Sequence, residues 1–181
     1  QSVFYYNPAF KDKFPVILLP ERPDRITILA AEALEKKIYN SLISLAGLDS
    51  SDIPEIIKRN SITDQSKASI VFSVGRSSLF RKYKSLLPLE KIEGKTEGFI
   101  IHSVEELSNT IFLYGNSPNA NLYAIQASLQ LFDNKSLLYH IANVVDFPFR
   151  DNRSFLISDL NNYSIDFLKS SAHTRFNNVY L

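Results

Sequence analysis

Apolar residues come along this chain in short bursts, and the spacing inside each burst predicts an element. The first burst, Pro15-Val16-Ile17-Leu18-Leu19-Pro20, is aliphatic with a proline at each end. Proline cannot donate to a strand ladder, so this reads as a short strand at a sheet edge. From residue 24 to residue 46 the rhythm changes: Ala31, Leu34, Ile38, Leu42 and Leu45 fall on one face of a helix, and Gly47 follows as its stop signal. Residues 68–75 (Ala-Ser-Ile-Val-Phe-Ser-Val-Gly) read as a buried strand, and residues 49–67 before them form a polar stretch with no clear element.

Residues 97–103 and 110–115 are two apolar runs joined by a short polar loop, the pattern of an antiparallel hairpin. Asn116-Ser117-Pro118 then opens a helix, with a capping side chain and a proline in the first turn, where its missing N–H does no harm. Leu122, Ile125, Leu129 and Phe132 give that helix an apolar face. Residues 141–145 read as a further strand, ended by Asp146-Phe147-Pro148. The rhythm then shifts again. Residues 154–158 read as a strand, Ile165, Leu168 and Ala172 mark a helical face, and residues 178–181 begin another strand. A strand, helix, strand order of this length suits a parallel β-α-β unit and places a boundary near residues 148–153.

Composition narrows the class without naming a function. At 181 residues, 45% apolar and 22% charged, the chain has the make-up of a folded globular protein. A chain of this length buries roughly 70% of its unfolded surface, so its core needs no metal or disulfide. Twenty basic and 19 acidic residues give a net charge of +1, with no basic stripe for nucleic acid. Cysteine is absent, which removes disulfides, thiolate metal sites and a cysteine nucleophile. No apolar run reaches the ~18–20 residues that span a bilayer. The chain starts at Gln1, with neither an initiator methionine nor the basic-then-apolar pattern of a signal peptide. Asn-x-Ser sequons stand at Asn134, Asn152 and Asn162, and these count only in a eukaryotic secreted protein.

Candidate chemistry is sparse. His102, His140 and His173 are far apart and make no His-Glu-x-x-His motif, so they read as surface or hydrogen-bonded histidines, and no metal or other cofactor is expected. Asp159 and Asp166 could be paired carboxylates for glycoside hydrolysis. Asp166, however, falls in the first turn of the expected helix, where the helix dipole favours a negative side chain. Ser117 lacks a Gly-x-Ser-x-Gly elbow and is explained as a helix cap. Gly94 and Gly98 make no phosphate loop. Phe4-Tyr5-Tyr6 could stack on sugar rings or pack the amino terminus onto the domain.

Several segments taken together carry a likeness. These are Glu97-Gly98-Phe99-Ile100-Ile101; Ile111-Phe112-Leu113-Tyr114-Gly115-Asn116-Ser117-Pro118; Leu122-Tyr123-Ala124-Ile125-Gln126; and Leu129-Gln130-Leu131-Phe132. In sequence they resemble the non-catalytic domain that precedes the barrel in family 20 glycoside hydrolases, the β-N-acetylhexosaminidases. That pattern reads Glu-Gly-Tyr/Phe, a hairpin, Gly-x-Ser-Pro-x-Gly, Leu-Tyr-Gly-x-Gln and Leu-x-Gln-Leu. Related domains precede the barrels of family 84 hexosaminidases and family 67 α-glucuronidases. Val145-Asp146-Phe147-Pro148-Phe149 is similar to the segment leading those enzymes into their barrel, and residues 165–181 to the first barrel helix and second strand. Ala120 and Asn121 stand where the family has a glycine, and Arg153 is followed by Ser154 rather than glycine. Nothing here matches the Asp-Glu pair of family 20, which lies beyond the second barrel strand.

The resulting expectation is an α+β fold: a mixed sheet of four or five strands in residues 1–148, with the helices 24–46 and 118–132 on one face. Residues 149–181 would then be an incomplete β-α-β piece of a TIM barrel. The resemblance implies a supporting domain of an enzyme acting on N-acetylhexosamine-containing glycans, located in the secreted, periplasmic or cell-surface space. It also implies that the partner is the protein's own catalytic barrel, with glycan substrate reaching the chain through that enzyme, and no nucleic-acid partner. Arg153 is the one residue given a substrate role, because a guanidinium offers fixed donors to sugar oxygens. Two alternatives remain open. One is a carbohydrate-binding or interaction module, marked by a row of exposed aromatics on the sheet. The other is the equivalent domain of an α-glucuronidase.

Overall fold

The computed structural model describes residues 2–10, 12–59, 67–107, 109–147, 154–156 and 178–180. The chain divides into two compact units, Gln1–Phe147 and Pro148–Leu181.

In the first unit a six-stranded mixed sheet forms from β2 (Phe14–Leu19), β3 (Ile57–Arg59), β4 (Ala68–Val74), β5 (Phe99–Ser103), β6 (Thr110–Gly115) and β8 (Val144–Asp146). Its order is β3-β2-β4-β6-β5-β8. The first four strands run parallel, and β5 is antiparallel to both β6 and β8. The expected hairpin is present, with Phe99 opposite Gly115 and Ser103 opposite Ile111. The fold is α+β, as expected from the sequence.

The central strands read as nearly unbroken apolar runs because both faces of the sheet are buried. Ile17, Leu19, Ile70, Phe72, Val74, Phe99, Ile101, Ile111 and Leu113 enter one core. Their alternates Leu18, Val71, Ile100, Phe112 and Tyr114 enter a second. Over the first face lie α1 (Arg25–Ala46) and α3 (Pro118–Leu129), which were anticipated there. Over the second lie α2 (Ser78–Tyr83) and short 3₁₀ turns at Lys84–Leu86, Leu89–Lys91 and Glu105–Leu107. This second cover was not anticipated. A six-residue helix holding Arg81 and Lys82 is too short for its periodicity to show.

Details differ from expectation for local reasons. β2 is an interior strand, since β3 emerges from the polar stretch and pairs with Ile17–Leu19. Pro15 fits there because it lies where the pairing with β4 shifts register between Phe14 and Val16, and β3 does not reach it. In α1, Asp24 caps the first turn, accepting from the Thr27 N–H at 2.8 Å and the Thr27 hydroxyl at 2.6 Å. Gly47 closes the helix at φ 68°, a conformation that costs glycine little. The buried stripe runs through Ala31, Leu34, Ile38 and Leu42. It ends on Ala46, four residues on, which leaves Leu45 turned ~100° away and 39% exposed.

The face of α3 agrees with the expected one at Ile125 and at Phe132 beyond its end, both buried, and differs at the two leucines. Ala120, Asn121, Ala124, Ile125 and Ser128 are buried, whereas Leu122 and Leu129 are only half-buried at its margin. Small residues at 120, 124 and 128 let the helix approach β6 closely. Gly115 shows how closely: a β-carbon there would sit 2.2 Å from the Ala120 carbonyl carbon.

The amino terminus is held by a two-stranded antiparallel ribbon, β1 (Ser2–Phe4) with β7 (Leu138–His140). Tyr5, Phe72, Phe132 and Tyr139 form an aromatic cluster beneath it, with ring centroids 5.0–5.7 Å apart. Tyr5 and Tyr6 are therefore packing residues, while Phe4 is 55% exposed.

In the second unit β9 (Ser154–Leu156) and β10 (Asn178–Tyr180) pair in parallel, with Ser154 opposite Asn178 and Leu156 opposite Tyr180. Parallel neighbours require a crossover connection, usually a helix. The helix expected from Ile165, Leu168 and Ala172 lies outside the described residues. Among the described residues no helix is long and apolar enough to cross a membrane.

Candidate functional site

The order of the parallel strands points to a site. From β2 the chain passes through α1 to β3 on one side, then crosses to β4 on the other. Where the direction of winding reverses in an open sheet, loops leave the carboxyl ends of adjacent strands in opposite directions and a crevice opens between them. The loops concerned are residues 20–24 after β2, 75–77 after β4 and 116–117 after β6.

Two clefts lie there side by side. One, of about 230 Å³, is bounded by Pro20, Arg22, Pro23, Asp24, Arg76 and the turn from Gly115 to Pro118, with Asn121 at its base. The other, of about 400 Å³, is lined by Arg76, Glu90, Glu93, Tyr114 and Asn116 with neighbouring apolar residues. Arg76 and Asn116 belong to both.

The walls are held by a buried polar network. The Asn121 amide oxygen accepts the Gly115 N–H at 2.8 Å, and its nitrogen donates to the Thr27 hydroxyl at 3.2 Å. Thr27 in turn donates to Asp24. One asparagine thus ties the end of β6 to the first turn of α1 from a position on α3. Replacing Asn121 with alanine leaves the Gly115 N–H without its acceptor in a buried place. The expected loss is about 1–3 kcal/mol, read as a lower urea midpoint. Ser117 caps α3 by accepting the Ala120 N–H at 3.1 Å, which confirms its structural reading. On α2, Ser77 accepts the Phe80 N–H at 3.2 Å and shares a 2.6 Å hydrogen bond with Ser73. Asn116 donates to the carbonyls of Ile92 and Lys95, fixing the turn that walls the larger cleft.

Charge is divided between the clefts. Arg22 and Arg76 are exposed, and neither has a hydrogen-bond or ion-pair partner among the described residues. The carboxylates Glu90 and Glu93 stand on the far side of Arg76. Each oxygen of Asp24 accepts one hydrogen bond from Thr27.

Of the residues weighed from the sequence, Ser117 lines the smaller cleft and Gly94 the larger, and among the described residues none of the histidines or paired carboxylates is found there. Arg153, Asp159, Asp166 and His173 lie outside the described residues. His102 is on β5, where burial and, secondarily, the nearby Lys91 hold its pKa below the ordinary histidine value. His140 is on β7, 2.8 Å from the Ser2 hydroxyl. Among the described residues no cluster of three or more His, Cys, Asp or Glu side chains could hold a metal. Sequence reasoning missed Arg76, Asn116 and Asn121. The available signal was position: Arg76 and Asn116 come directly after a glycine that ends an apolar run, and Asn121 is a polar residue inside an apolar helix face.

No protein-family model matches this sequence, and no curated protein matches it. Solved structures are similar to this chain. One is a family GH115 4-O-methyl-α-glucuronidase with specificity for decorated arabinogalactans. The match has a TM-score of 0.59 at 10% identity, covering 91% of this chain and 25% of that one. Another is a GH138 enzyme targeting pectin rhamnogalacturonan II, with a TM-score of 0.44 at 15% identity, covering 83% of this chain and 18% of that one. The chain thus spans about a quarter of the length of the first enzyme, and its fold is one found within a glycoside hydrolase. Family 20 is not singled out by either comparison.

Proposed function

We propose that this chain is a non-catalytic domain of a glycoside hydrolase, whose first unit supports a catalytic barrel that begins in the second. The observation that carries the reading is the coverage: 91% of the chain corresponds in fold to a quarter of a glycan-cleaving enzyme. A parallel β9–β10 pair reached by a connection at residues 157–177 is also the pairing that opens a β/α barrel. Burial of both sheet faces weighs against a carbohydrate-binding module that stacks sugars on a flat aromatic row, since Phe72, Phe99 and Phe112 are all in the cores.

For substrate class, the motif likeness supports N-acetylhexosamine glycans handled by an exported enzyme. Arg153 in this reading holds sugar hydroxyls, the role of the resembling arginine at the start of the first barrel strand. A second reading, the equivalent domain of an α-glucuronidase, is favoured by Arg22 and Arg76, which have no ion-pair partner among the described residues, and by the activity in the first neighbour's name.

Hydrolysis of an aryl N-acetylglucosaminide and an aryl glucuronide, measured side by side on the 181-residue chain and on the whole gene product, tests both. The expected outcome is turnover by the longer product alone, with the cleaved substrate choosing between the readings. Cleavage by the chain itself, or a gene that encodes no barrel, would overturn the proposal.

A further inference from the structure

We infer that the paired clefts around Arg76 form a binding site for an acidic disaccharide, with a uronate ring in the smaller cleft and a neutral ring in the larger one. The choice of a sugar over another carboxylate rests on the glycoside hydrolase reading. The choice of an anion rests on the clefts alone.

The smaller cleft has two guanidinium groups on its lips, Arg22 from the β2–α1 loop and Arg76 from the β4–α2 loop. Neither is committed to a carboxylate elsewhere among the described residues. A guanidinium presents a planar fork of donors that matches a carboxylate in a bidentate pair, so two of them facing one hollow select a negatively charged planar group. Asp24 lines the same hollow and keeps its negative charge, with each oxygen accepting one hydrogen bond from Thr27, so two guanidinium groups against one carboxylate leave the hollow net positive. The rim is also rigid. Asn121 binds the α1, α3 and β6 sides together from beneath, and Pro20, Pro23 and Pro118 stiffen the loops. Preorganisation of this kind lowers the entropic cost of holding a ligand.

The larger cleft has a different character. Glu90 and Glu93 accept hydrogen bonds and repel a second anion, while the Tyr114 edge offers an apolar wall beside them. Tyr114 is stacked on Phe80 with ring centroids 4.2 Å apart, so it is fixed and only its margin meets the cleft. Hydroxyl groups of a neutral pyranose suit this lining. Arg76 and Asn116, common to both hollows, stand where a glycosidic linkage would cross. Small-molecule sites usually measure ~300–1,000 Å³. At about 400 and 230 Å³, the two hollows together accommodate two rings rather than one.

The test is calorimetric titration of the 181-residue chain with an aldobiouronic acid, compared with the same disaccharide carboxyl-reduced to its neutral form and with inorganic sulfate. Measurable binding of the acid is expected, weakened by added salt, with the neutral analogue and sulfate each at least about ten-fold weaker. R76A should lower the affinity about ten-fold or more, R76K should recover only part of it because the fork is lost, and R22A should give a smaller loss. Arg76 and Arg22 are exposed, so unchanged far-ultraviolet dichroism and melting temperature will show that each variant is folded. Equal affinity for the neutral disaccharide, equal affinity for sulfate, an unchanged R76A, or no binding at about 10 mM ligand would each overturn the inference. The measurement reads binding on the chain alone, so it is separate from the hydrolysis assay. Binding with no hydrolase activity in the longer product would sink the enzyme reading and keep the site. Hydrolysis without binding would do the reverse.

Discussion

Phe72→Ala is expected to lower the stability of the first unit by about 3–5 kcal/mol, the range for removing a buried phenyl ring from a core that cannot collapse around the hole. Phe72 sits on the central strand β4 and is fully buried, 5.7 Å from the Phe132 ring and 5.2 Å from Tyr139. Phe132 lies past the end of α3, and Tyr139 belongs to β7, which pairs with the amino-terminal strand. The ring therefore links the sheet to the ribbon that holds the chain's beginning, and its loss should free that ribbon first. Domains of ordinary stability have 5–15 kcal/mol in hand, so the variant should be close to its limit. Urea unfolding followed by circular dichroism and by tyrosine fluorescence gives the number, since the chain has nine tyrosines and no tryptophan to mask them. Phe72→Leu, which refills most of the space, should cost less than half as much. A loss below about 1 kcal/mol for the alanine variant would mean that the cluster is not packed as described.

Gly115→Ala should be nearly as damaging, although it adds a single methyl group. A β-carbon at this position would stand 2.2 Å from the Ala120 carbonyl carbon and 2.4 Å from the Asn121 nitrogen. Both are backbone atoms of α3 and cannot rotate aside, so β6 and the helix must move apart. Overpacking of this kind costs about 1–3 kcal/mol, and occasionally more. Separation would also stretch the hydrogen bond from the Gly115 N–H to Asn121, worth about 1 kcal/mol. The expected total is about 3 kcal/mol, again read from the urea midpoint. A change under about 1 kcal/mol would contradict the close packing of β6 on α3.

Much of the fold was legible because its elements obey simple periodicities. The α1 stripe, the β5–β6 hairpin, the cap at Ser117 and the stop at Gly47 all rest on local rules, and local rules act within a few residues. What could not be read depends on partners distant in the chain. β3 has three residues and exists because β2 offers it an edge. β1 and β7 are held by each other across more than 130 residues, a pairing that no window of sequence contains. The face of α3 holds at Ile125 and Phe132 and fails at Leu122 and Leu129, because the contact with β6 has no room for leucine. The helix instead buries its small residues, since the strand beneath ends in glycine. The site was hidden for the same reason. Arg22, Arg76 and Asn116 are remote in sequence and converge only through the crossover from one side of β2 to the other. Arg153, the residue the motif likeness proposed, belongs to the second unit and outside the described residues.

One further consequence follows from the short strands that finish the sheet. Both outermost strands, β3 and β8, are three residues long, and β3 presents Lys58 and Arg59. A long flat strand in either place would offer a row of free amide and carbonyl groups to any extended chain that met it. Three residues offer too few for a lasting ladder, and the charged side chains of Arg59 and of Lys58, the latter ion-paired with Glu55 at 3.1 Å, disfavour another strand docking there. The most β-prone segments, in β4 and β6, are enclosed between neighbours on both sides. The six-stranded sheet should therefore not join copies of the first unit edge to edge unless that unit first unfolds.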